Sequence, residues 1–148
     1  MVSVSYSTVI DSVQANIYTI LNSNSTIKSY AEKIIDGIGS YQERQSGYGR
    51  CLIRAPQVSE KRITFNKWII DVTTEIQCFS RQEGLVRKLA DAVREALNNA
   101  QYSDVNSTFE WSMSWKNIDS TNIRERELDD GRVEYEIDVI VKYVVISK

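Results

Sequence analysis

Three carboxylates recur at every second position near the end of the chain: Glu134, Glu136 and Asp138. Residues spaced by two project from one face of a strand. The row could therefore hold a cation or work as a carboxylate pair. The plainer reading is a solvated or interface strand face, since adjacent like charges cost stability unless they meet a partner. Basic residues gather elsewhere. From Glu43 to Lys67 there are six, Arg44, Arg50, Arg54, Lys61, Arg62 and Lys67, against two acids, a net of +4. From Asp119 to Asp138 there are eight acids against Arg124, Arg126 and Arg132, a net of −5. Blocks of this kind often do no more than solvate a surface. A sharper reading is a head-to-tail contact in which the basic block of one subunit faces the acidic block of its neighbour. On that reading Arg44, Arg50, Arg54, Arg62, Arg124 and Arg126 are candidate interface residues. Glu134, Glu136 and Asp138 are a candidate acidic interface or lumen face.

Other chemistry is sparse. The chain has no histidine, which removes the commonest general base and metal ligand. Ser-His-Asp and Cys-His nucleophile systems cannot be built within it. Asp36-Gly37-Ile38-Gly39 lacks the lysine and the length of a phosphate loop. Cys51 and Cys78 are the two cysteines. Both sit in expected strands at apolar parity, where free cysteine behaves as a small hydrophobe. Two thiols without histidine or ligand spacing fall short of a zinc site. No catalytic, cofactor-binding or metal-ligating residue is assigned, and the expectation is a protein that is not an enzyme.

The elements that position these residues follow from periodicity. Val9, Ile10, Val13, Ile17, Ile20 and Leu21 predict an amphipathic helix from about Ser7 to Asn22. Thr26 to Ile35 reads as a weak strand or a short helical turn, and Asp36 to Tyr48 as a mobile loop. Gly49 to Ala55 is a short strand broken by Pro56, and Gln57 to Lys61 a turn. Trp68 to Phe79 alternates, with Trp68, Ile70, Val72, Ile76 and Cys78 on one face. A second helix runs from about Gln82 to Asn98, with Leu85, Val86, Leu89, Val93, Ala96 and Leu97 as its stripe. Phe109 to Lys116 alternates again, Asn117 to Asp130 is a charged connection, and Val133 to Val145 is a long final strand. The expected fold is α+β: a largely antiparallel sheet of about four strands with two amphipathic helices packed on one face.

At 148 residues the chain is expected to form a single α+β domain over residues 1–148. Its net charge of −2 creates no global field favouring nucleic acid or an anionic membrane. No apolar run approaches the ~20 residues that span a bilayer. The opening residues lack the basic and apolar regions of a signal peptide, which leads to the expectation of folding in the cytoplasm.

Element order, length and several local strings resemble the tail-terminator (tail-completion) proteins of long-tailed bacteriophages. The strings are Tyr48-Gly49-Arg50-Cys51-Leu52-Ile53-Arg54-Ala55-Pro56, Asp71-Val72-Thr73-Thr74-Glu75-Ile76-Gln77 leading to Leu85-Val86-Arg87-Lys88-Leu89-Ala90-Asp91, Trp115-Lys116-Asn117-Ile118-Asp119-Ser120, and Tyr135-Glu136-Ile137-Asp138-Val139. The resemblance implies a homo-oligomeric ring, a hexamer, that caps the tail tube, stops its polymerisation and offers a surface to the head connector. It also implies the tail-tube protein as a partner, and DNA passing through the lumen without sequence-specific binding, kept mobile by acidic side chains. A neighbouring neck or head–tail connector component is an alternative. So are a small ligand-binding domain with a pocket under the Asp36–Tyr48 loop and a monomeric adaptor using an exposed sheet edge.

Overall fold

A computed structural model describes residues 6–36, 49–54, 56–64, 67–99, 111–127 and 131–147. The loop expected from Asp36 to Tyr48 lies almost wholly outside these residues. Helix α1 spans Tyr6–Asn22. Val13, Ile17 and Leu21, four apart, are its buried ridge. The helix ends in Ser and Asn residues that bond back to the main chain: the Ser23 hydroxyl donates to the Thr19 carbonyl at 2.7 Å. Asn24 then caps a second helix, its side chain accepting from the Ile27 N–H at 3.0 Å. Helix α2, Ser25–Tyr30, is anchored by buried Ile27 and passes at Ala31 directly into strand β1, Ala31–Asp36. The ambiguous segment is thus both alternatives in succession.

Strands β2 (Gly49–Ile53) and β3 (Gln57–Thr64) lie end to end along one edge of β4 (Lys67–Ser80). β2 pairs with the second half of β4 and β3 with the first half. Between them the Arg54 N–H donates to the Glu75 carbonyl at 2.9 Å, and Pro56, which has no N–H to give, marks the break. The turn expected over Gln57–Lys61 is therefore strand. Its polar side chains hide the pattern, but the first half of β4 pairs with it. Helix α3, Glu83–Asn99, buries Val86, Leu89, Ala90, Ala92, Val93 and Leu97.

Strands β5 (Trp111–Ser120) and β6 (Arg124–Glu127) repeat the end-to-end arrangement along β7 (Val133–Ser147). The charged connection expected from Asn117 is mostly strand. Gly131, at φ 82°, makes the turn into β7 in a conformation that costs glycine little. Among the described residues, seven strand segments fill five rows, ordered β1, β2 with β3, β4, β7, then β5 with β6. Among the described residues all pairings are antiparallel except that of β1 with β2. The fold is α+β as expected, with more strands than four and a third helix. One core joins α1 and α3 to the sheet face carrying Ile70, Val72, Ile76 and Cys78 of β4 and Ile137, Val139, Val141, Tyr143 and Val145 of β7. The buried Thr74 and Tyr143 hydroxyls satisfy each other at 2.8 Å.

Candidate functional site

The chemistry gathers on the opposite sheet face, and a register slip places it there. Thr121 continues the β5 ladder: its N–H donates to the Asp138 carbonyl at 2.9 Å. Its hydroxyl accepts the Asp138 N–H at 3.0 Å. Arg124 then pairs with Glu136, so three steps on one strand answer two on the other. This is a bulge. Without it, alternation would point Ile123 and Glu125 at the β7 carboxylates. With it, Arg124 and Arg126 face them.

Glu134 is 1% exposed and receives two arginines. Arg50, from β2, grips it with both terminal nitrogens, at 2.6 and 3.0 Å. This two-pronged contact suits a planar guanidinium. Arg126 adds a bond at 2.5 Å. Both guanidinium groups lie over the ring of Phe79, at 4.7 Å for Arg50 and 5.6 Å for Arg126, a cation–π arrangement. Phe79 is buried although it occupies the polar parity of β4.

Beside this unit, Arg124 bonds both Glu136 and Asp138. Asp138 is 3% exposed, and its Oδ1 is buried without a hydrogen-bond partner. Its pKa is pushed up to about 8, first by burial and then by the neighbouring carboxyls of Glu136 and Glu75. Asp138 therefore holds a proton near neutral pH, which relieves the crowding of acids around Arg124. Once ionised, Asp138 and then Glu136 hold the Arg124 guanidinium in its charged form and raise its pKa.

Of the residues singled out by sequence, Arg50, Glu134 and Arg126 thus form one cluster and Arg124, Glu136 and Asp138 an adjoining one, together a charged lattice inside the protomer. Arg50 of the basic block meets Glu134 of the acidic block within the same chain. Arg54 is exposed at the junction of β2 and β3, outside that lattice. Arg62 lies on β3 opposite Ile69. Arg44 is outside the described residues. Sequence reading missed Phe79, Glu75 and Thr121. An aromatic at polar parity was the available signal for Phe79. Thr121 gave none, because a bulge depends on the partner strand.

The lattice ties the rows carrying β2 and β6 to the central β7. Among the described residues no group of three or more acids or thiols is arranged to hold a metal. Two shallow depressions lie on the helix layer instead. One is floored by Ile20, Ala92 and Ala96, and the other lies between Asp91, Arg94 and Asn117. No helix among the described residues is long and apolar enough to cross a membrane.

No family model matches the chain, and no curated protein does. Among solved structures, the chain is similar to one from the "Virion of native gene transfer agent (GTA) particle". The TM-score is 0.65 at 11% identity, covering 97% of this chain and 100% of that one. The two share a fold from end to end.

Proposed function

We propose that this chain is a structural virion protein, not an enzyme, that caps a phage-type tail tube as a ring. The ring stops tube polymerisation and offers the surface to which the head joins. The observation that carries the reading is the end-to-end fold likeness to a chain of a gene transfer agent virion particle. The strings resembling tail terminators refine it from virion component to tube cap. Its partners on this reading are further copies of itself in a hexamer, the tail-tube protein, a head connector or neck protein, and DNA crossing the lumen.

The charged lattice contributes rigidity to such a ring subunit. It holds one sheet face in shape by bonds within the chain, leaving intersubunit contact to side chains outside it. Arg54 is one of these. Arg124 and Arg126, each 56% exposed, present their outer edges as well. Exposed ion pairs contribute only about 0–1 kcal/mol each. Affinity then comes mainly from apolar contact, with charge setting register and rate.

The test combines native mass and negative-stain imaging of the purified protein, alone and with isolated tail tubes. Rings seated on tube ends are the expected result, and a protein that never associates with tails removes the terminator reading. Labelled protein found at the neck but not on the tube end selects the connector alternative. Reversing Arg54 and Arg62 to Glu should give tubes of undefined length. Normal capping by that variant removes the charge contribution.

A further inference from the structure

Two thiols that the charged face does not use lie opposite each other in the core. Cys51 on β2 and Cys78 on β4 are directly paired across an antiparallel ladder, free and fully buried. The hydrogen-bond phase of that ladder follows from a single contact. The Arg54 N–H donates to the Glu75 carbonyl, which makes those two a hydrogen-bonded pair. Pair types alternate along an antiparallel ladder, and the register runs unbroken from Ile53 opposite Ile76 to Arg50 opposite Phe79. Cys51 and Cys78, three steps from Arg54 and Glu75, therefore form a non-hydrogen-bonded pair. In such pairs the Cα atoms approach to about 4.5 Å and the side chains are closest. That lies at the short end of the ~4.4–6.8 Å range that disulfides span. The thiols are close enough to hydrogen bond. That bond, ahead of burial, pushes the Cys78 thiol well above its usual pKa.

We propose that Cys51 and Cys78 form a latent dithiol site that closes into a cross-strand disulfide by exchange with a small disulfide. One cysteine thiolate attacks the small disulfide, forms a mixed disulfide and expels one small thiolate. The second cysteine thiolate attacks the protein sulfur of that mixed disulfide, forms the Cys51–Cys78 bond and expels the second small thiolate. Two protein thiols are oxidised, one small disulfide is reduced to two thiols, and the cysteine protons pass to the departing thiolates.

Burial controls the rate. Neither sulfur is exposed, so the reagent enters only when the five-residue strand β2 lifts from β4. A reducing cytosol keeps the pair as thiols, whereas a protein that has left it meets oxidants. Once closed, the bond joins β2 to β4 around the Pro56 break and the β3–β4 hairpin, restricting the unfolded chain. This chemistry is independent of the virion reading, and its test needs no tails.

The experiment uses the full chain with oxidised glutathione as the probe, followed by intact mass and thiol titration. The expected product has lost two hydrogens and both free thiols, forms faster as sub-denaturing urea is raised, and unfolds at higher urea than the reduced protein. Cys51→Ala and Cys78→Ala should each stop at the glutathione mixed disulfide. Three results would overturn the proposal. One is a native chain that ends as a glutathione adduct. Another is a chain that keeps both thiols after refolding from urea in the probe. The third is a disulfide form that unfolds at lower urea than the reduced one.

Discussion

Replacing Glu134 by Leu removes the hub of the charged face. Glu134 is 1% exposed and Arg50 is 11% exposed, so the substitution leaves a guanidinium largely buried beside Phe79 without its two-pronged carboxylate. Breaking a buried pair in this way costs about 3–5 kcal/mol. Arg126 adds little to that cost, because its side chain is 56% exposed and can turn to water. Its own replacement by Ala should cost at most ~1 kcal/mol. Arg50→Met should cost less than Glu134→Leu, since the buried carboxylate keeps its bond to Arg126. The double variant Arg50→Met with Glu134→Leu removes both desolvation penalties and should return to within about 1 kcal/mol of the parent. Stability of a domain this size is ~5–15 kcal/mol, so these differences are readily measured. Urea unfolding by far-UV circular dichroism, with an unchanged slope, reads them directly. The reasoning fails if Glu134→Leu alone lies within about 0.5 kcal/mol of the parent. It also fails if the double variant loses the sum of the two single losses.

Three further outcomes follow from other parts of the fold. Leu89 is fully buried, so Leu89→Ala should cost about 2–5 kcal/mol in the same urea assay. A loss under about 0.5 kcal/mol would place α3 elsewhere. A Cβ at Gly49 would lie 2.8 Å from both the Tyr30 carbonyl oxygen and Leu89 Cδ2. Since the first is backbone, Gly49→Ala should cost at least ~1 kcal/mol, and an unchanged melting temperature would show that β2 does not start where described. The Asp138 pKa is raised from 3.8 to about 8 in the fold, so the folded chain holds a proton that the unfolded chain has released. Its contribution is complete below about pH 4 and is lost as pH rises through about 8. Asp138→Asn should flatten the decline in urea midpoint across that window, and an unaltered pH profile would contradict the assignment.

Periodicity along the chain was enough to determine where the main elements lie and which side of each is buried. Val13, Ile17 and Leu21 mark the inner side of α1. Leu89, Val93 and Leu97 mark that of α3, and Ile70, Val72 and Ile76 that of β4. These patterns are local records of burial against a single core, and the absence of histidine was equally plain. Only the tertiary structure decided the rest. β6 reads Arg-Glu-Arg-Glu and carries no apolar signal, because its burden is charge pairing and not burial. β3 is strand because β4, at 14 residues, is nearly three times as long as the five-residue β2 and leaves its first half to be paired. The bulge after Thr121 decides which of two alternating sets, Arg124 with Arg126 or Ile123 with Glu125, meets the acids of β7. Glu134 finds Arg50 across 84 positions of sequence. Ion pairs at that separation leave no periodic trace. They depend on which strands become neighbours and in what register, and that is settled only when the whole sheet closes on its core.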